Sequence, residues 1–211
     1  MRDRYKTLPD AGDAAEYLLV EKKSRFIASG GSACSEKEAM DILRAVREKY
    51  PDVSHHVYAY RIGPLEKCSD GGEPSGTAGL PVLGALQKAG LEYCMLVVTR
   101  WFGGILLGAG GLVRAYGAAA RGFAVANTVT KARRLIFDVT AGYHAANALQ
   151  SVIQKEGIAC ESVKYMENVV FRLLTAPENA EALKLTVQNA TNGEAGVLCA
   201  GEKYVLETGA L

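Results

Sequence analysis

Residues 99–114 constrain this chain more than any other stretch, because five glycines, two arginines and the only tryptophan are crowded there between an apolar run and an amphipathic one. Before it, Met95-Leu96-Val97-Val98 is uninterrupted and rich in β-branched residues, the composition of a strand covered on both faces. After it, Leu112, Val113, Tyr116, Ala119, Ala120 and Phe123 recur at helical spacing, which predicts a helix from about Gly110 or Gly111 to Asn127. The glycines between, lacking Cβ, allow positive φ and leave consecutive N–H groups at a helix N-terminus, where the dipole favours an anion. A phosphate cradle is the expectation.

The chain has 211 residues, 49% hydrophobic and 22% charged, enough for one large domain or two small ones with real cores. No apolar stretch reaches the roughly 18 residues of a membrane span, and Met-Arg-Asp-Arg-Tyr-Lys lacks a signal-peptide core. A cytoplasmic protein with no membrane partner is expected. Five cysteines without a Cys-x-x-Cys pair fit neither a disulfide framework nor a zinc site, so they are expected reduced. The net charge of +1 hides an asymmetry. Residues 74–134 carry seven basic residues against one acid, whereas the remainder after Arg134 carries five against nine. Any polyanion would meet the first part of the chain.

In order, residues 16–20 and 25–28 suggest two strands of a hairpin around Glu21-Lys22-Lys23-Ser24. Ser35 with Glu38 forms a capping box, and Ala39, Ile42, Leu43, Val46 and Tyr50 share a helical face until Pro51. Residues 56–62 suggest a strand, residues 70–79 a second glycine loop, and residues 81–90 a helix. Residues 128–131 suggest a connector. Beyond it come strand 135–139, helix 143–156, strands 158–166 and 169–174, a helix from Pro177 and a last strand, 197–207. That order, βαββαβ, is the ferredoxin-like split unit. The fold class is therefore α+β in two domains, 1–130 and 131–211.

Known phosphate fingerprints fail on both glycine loops. The third glycine of the dinucleotide motif is missing after Gly108-Ala109-Gly110, and Thr77 stands where a P-loop lysine belongs after Gly76. Glycines of this kind also serve simple tight packing. Arg100 and Arg114 bracket them, however, and a guanidinium fork matches phosphate oxygens. Arg114 and Arg121, seven apart, share a helix face. Trp101 and Phe102 suit core anchoring or base stacking. Asp70 and Glu73 could hold Mg²⁺ or act as acid and base, or simply form the turn. His55 and His56 should point to opposite faces of a strand, so one metal cannot easily take both. No metal site is predicted with a full ligand set.

Four blocks, Lys22-Lys23-Ser24-Arg25-Phe26-Ile27-Ala28, His55-His56-Val57-Tyr58-Ala59-Tyr60, Asp70-Gly71-Gly72-Glu73-Pro74-Ser75-Gly76-Thr77-Ala78-Gly79, and Arg100-Trp101-Phe102-Gly103-Gly104 through Gly111-Leu112-Val113-Arg114-Ala115-Tyr116, together resemble the YigZ/IMPACT family of translation-linked proteins. They cover about residues 15–125. The resemblance implies an N-terminal domain of the fold shared by a ribosomal small-subunit protein and domain four of elongation factor G. It also implies a ferredoxin-like C-terminal domain similar to domain five of that factor. Eukaryotic relatives bind a large activator of a stress kinase through an additional domain, which a chain of this length is not expected to hold. For the bacterial type the resemblance leaves the activity open.

The leading expectation is an RNA- or ribosome-binding regulator needing no cofactor. Its phosphate contacts would come from Arg25, His56, Arg100, Gly103, Gly104, Gly110, Gly111, Arg114 and Arg121, and it requires Arg25, Arg100 and Arg114 to meet on one surface. The alternative is an enzyme acting on a phosphorylated small molecule or nucleotide, with Asp70 and Glu73 as metal or acid/base groups. A third is a protein-interaction module presenting an edge of the acidic second half to a protein partner. No DNA-specific motif is present.

Overall fold

The computed structural model describes residues 3–207. They fall into two compact units, residues 5–130 and residues 131–207 with residues 3–4. Both are α+β.

The first unit is built on a five-stranded sheet ordered β2 (Tyr17–Glu21), β3 (Ser24–Ser32), β6 (Cys94–Trp101), β4 (His55–Ile62) and β5 (Leu65–Ser69), with every neighbour antiparallel. A short β1 (Arg4–Thr7) precedes it, and Lys6 bridges in parallel to Leu91. Central β6 is apolar from Cys94 to Val98, where both its faces are covered. Cys94, Leu96 and Val98 join Phe26, Ala28, Val57 and Ala59 beneath α2 (Gly79–Ala89) and α3 (Ala109–Asn127). Met95 and Val97 join Tyr60 beneath α1 (Glu36–Lys49). Each large side chain fully buried here contributes about 1.5–3 kcal/mol. The capping box is formed: the Glu38 N–H donates to Ser35 Oγ at 3.2 Å, and the Cys34 N–H donates to Glu38 Oε2 at 2.9 Å.

Two strands escape the sequence reading. β5 is an edge strand whose Leu65, Glu66 and Lys67 are exposed, so it shows no core-facing alternation, and β1 is only four residues long. The hairpin between β2 and β3 turns at Lys22 and Lys23, both at positive φ, 44° and 66°.

The second unit is built on a five-stranded sheet. Four of its strands run antiparallel in the order β10 (Gly196–Leu206), β7 (Val129–Ala141), β9 (Val169–Thr175), β8 (Ala159–Tyr165), and the start of β1 joins at β7, where the Arg133 N–H donates to the Asp3 carbonyl at 2.8 Å. With α4 (Tyr143–Glu156) and α5 (Ala180–Ala190) in the connections, this is the ferredoxin-like arrangement. Phe137, Val139, Phe171 and Leu173 form its core with Leu149, Ile153, Leu183 and Val187 of the helices. Residues 128–131 are not a connector as expected: β7 starts at Val129, since Lys131 and Ala132 pair with Leu206 and Val205.

Candidate functional site

Chemistry-bearing residues gather where β6 ends and β3 and β4 begin. Register sets Arg25 opposite Trp101 and His55 opposite Arg100. Because side chains alternate along a strand, this end of the sheet carries two different groups, one on each face.

On the face beneath α2 and α3, Arg100 is buried at 5% exposure and Glu73 at 9%. Arg100 Nη1 donates to Glu73 Oε1 at 2.7 Å, and Tyr116 Oη donates to the same oxygen at 2.7 Å. Ser24 Oγ accepts from Arg100 Nη2 at 3.3 Å and from the Gly103 N–H at 3.2 Å. The guanidinium carbon lies 5.4 Å from the Phe26 ring centre and 5.5 Å from that of Phe102. Arg100 Nε has no hydrogen-bond partner among the described residues. Burial, then the bond and charge of Glu73, push the Tyr116 hydroxyl far above its ordinary range, so it stays a donor. His55 Nδ1 meets the Gly71 carbonyl at 3.1 Å, which makes Nδ1 the protonated nitrogen and turns Nε2, 3.9 Å from Glu73 Oε1, into an acceptor when the ring is neutral. Gly103 is required here, since a Cβ would lie 2.1 Å from the backbone of Lys23.

Asp70 is committed to its own loop. One carboxylate oxygen accepts the Gly76 N–H at 2.9 Å, and the other accepts those of Ala78 and Gly79 at 3.0 and 2.8 Å. Burial alone would raise its pKa, but these donors outweigh it and hold the carboxyl below its usual value. The two carboxylates expected in an open loop thus face different ways of being used, one capping α2 and one neutralising Arg100. Among the described residues no group of three or more His, Cys, Asp or Glu is placed to hold a metal ion.

On the α1 face, the exposed Arg25 guanidinium lies 5.3 Å from the Trp101 ring centre, and Tyr50 meets that ring edge-on at 5.2 Å. His56 Nδ1 is 3.2 Å from Thr99 Oγ1. Burial, reinforced by the charge of Arg47, lowers the His56 pKa. Arg114 and Arg121 are exposed on α3, and Arg114 lines a cavity of about 210 Å³ with Lys22, Leu19 and Leu107. So Arg25, Arg100 and Arg114 do not converge on one surface: Arg25 and Arg100 stand on opposite faces of the sheet, and Arg100 is buried against Glu73. Gly104 turns at φ 81°, while Gly110 and Gly111 lie in the first turn of α3. Sequence reading passed over Ser24, His55 and Tyr116 as members of one network; their partners lie 16 to 79 residues away along the chain.

Residues 22–124, which contain both groups, match the Impact N-terminal domain family, and residues 139–194 match a domain of unknown function, DUF1949. The Bacillus subtilis protein named IMPACT family member YvyE is 33% identical over 201 residues, covering 93% of this chain and 91% of that protein. Escherichia coli IMPACT family member YigZ is 43% identical over 111 residues, 49% of this chain and 54% of that protein. A solved structure described as "Crystal structure of an hypothetical protein" superposes with a TM-score of 0.60 at 28% identity, covering 94% of this chain and 98% of that one. With a relative of this identity along nearly its whole length, and with the Ser24, His55, Glu73, Arg100 and Tyr116 network inside the matched domain, the chain belongs to the IMPACT family.

Proposed function

We propose that this protein is a translation-linked RNA-binding regulator, taking RNA alone or as part of the ribosome on the α1 side of its first unit. The observation that carries this is the Arg25–Trp101 pair. An exposed guanidinium lies over a half-buried indole, and among the described residues Arg25 makes no ion pair that would occupy it. A base stacks on an aromatic face and a phosphate pairs with arginine, so one such pair grips both parts of a single-stranded nucleotide. Arg47 stands near enough to His56 to depress its pKa, and the exposed Lys23 lies at the hairpin tip that leads into Arg25. Neither carries a carboxylate partner among the described residues. Arg100 has left the proposed contact set, because its charge is already met by Glu73.

The test is a salt titration of single-stranded RNA binding by fluorescence anisotropy. Arg25→Ala and Arg47→Ala are each expected to weaken binding and to flatten the slope of log affinity against log salt by about 0.7. Trp101→Leu is expected to weaken binding with the slope unchanged. Unaltered affinity and slope in both arginine variants would sink the reading.

A further inference from the structure

A cavity of about 500 Å³ opens on the other side of the same sheet end, with Arg100, Glu73 and His55 at its polar part. Its other walls include Ser54 and the apolar Pro74, Phe102, Leu106, Leu107 and Leu112, with Gly108 and Ala109 bringing in the start of α3. That size and an apolar lining with a few polar groups are those of a small-molecule site.

Three features are unexplained by the fold alone. First, Arg100 is 5% exposed, yet its Nε–H has no acceptor among the described residues, and a buried orphan donor is costly. Second, both hydrogen bonds to the Glu73 carboxylate, from Arg100 and Tyr116, end on Oε1, which leaves Oε2 as an acceptor without a donor among the described residues. Third, Gly108, the N-cap of α3, has no side chain to cap the helix and the first turn from Ala109 carries no acid, so no capping side chain or acid meets its first N–H groups there. Phe102 and Leu106, exposed at 48% and 82%, flank the opening, although apolar side chains of this size are normally covered.

We infer that this cavity binds a nucleotide. The base lies among Phe102, Leu106, Leu107 and Leu112, with its polar edge toward Arg100 and Glu73. The phosphate sits at the uncapped N-terminus of α3, where backbone N–H groups and the helix dipole favour an anion. A polar edge with both donor and acceptor is what this pairing requires: a simple anion would satisfy Arg100 and be repelled by Glu73. The site is separate from the RNA surface, since none of its lining residues is Arg25, Arg47 or Trp101. The nucleotide arrives free or as an unpaired residue of a bound strand.

Isothermal titration of the full chain with guanosine and adenosine 5′-monophosphates tests the free form, and anisotropy with a short single-stranded RNA tests the strand. Ala109→Trp fills the mouth and Leu106→Ala removes one wall, both from exposed positions. Each is expected to weaken mononucleotide binding at least fivefold if the ligand is free. If it belongs to a strand, each lowers RNA affinity at least fivefold with an unchanged salt slope. Arg25→Ala, which separates this inference from the RNA reading, should leave mononucleotide binding intact. Absence of mononucleotide binding together with unaltered RNA affinity in both cavity variants overturns the proposal.

Discussion

The N-termini of α2 and α3 present the same chemical problem and meet it in opposite ways. At α2 the preceding loop folds back so that Asp70 accepts the N–H groups of Gly76, Ala78 and Gly79. At α3 the loop of residues 102–108 brings no side chain to the exposed N–H groups, and the first turn, Ala109-Gly110-Gly111, is small and uncharged. Both loops are rich in glycine, yet in one the chain wraps its own carboxylate and in the other it leaves donors open beside a cavity. Glycine content therefore reports close backbone approach and says nothing about what occupies the space created.

The largest effect should come from breaking the link between the two loops. Glu73 sits in the α2 loop and neutralises Arg100 at the cavity of α3, so Glu73→Ala leaves a buried guanidinium unpaired and should cost about 3–5 kcal/mol in denaturant unfolding. A cost under about 1 kcal/mol would mean that Arg100 finds water or another partner. Next, Asp70→Ala should cost about 1–2 kcal/mol by uncapping α2, and Asp70→Asn less. Because the folded-state pKa of Asp70 is depressed, its charge contributes fully above the unfolded value near 3.8 and is lost as pH falls through the folded value, so the parent should converge on Asp70→Asn in strongly acidic solution. The smallest effect sharpens the contrast: Ala109→Asp places an acid in the first turn of α3 and should stabilise by about 0.3–1 kcal/mol. The same change should weaken any anion held there, read as loss of mononucleotide binding.

Much of this architecture was legible in the chain. Ser35 and Glu38 announced α1 through local spacing, and the unbroken run before Thr99 announced a strand covered twice. The helices and strands β7 to β10 of the second unit followed from periodicity and glycine stops, except that Thr128-Val129-Thr130-Lys131 looked like a connector; β7 starts at Val129 and meets β10 from Lys131 on, a partner from the far end of the chain. The site was harder to read. Alternation from Leu96 and Val98 places Arg100 on their face, a signal present in the sequence, but nothing local says that Glu73, Tyr116 and Ser24 meet it there. Arginines near glycines suggested a common phosphate contact, whereas pairing across strands sorted Arg25 and Arg100 onto opposite faces. Partnership across tens of residues is fixed by topology, and side-chain type alone does not reveal it.

The tip of the β2–β3 hairpin carries a further consequence. A two-residue turn with both φ angles positive favours Asn-Gly, yet here two lysines hold it at 44° and 66°. Each long side chain in that left-handed region costs on the order of 1 kcal/mol relative to glycine. The hairpin thus carries conformational tension in return for a rigid mount that projects two ammonium groups from a tight bend. A chain shaped for stability alone would relax that bend and lose its charge.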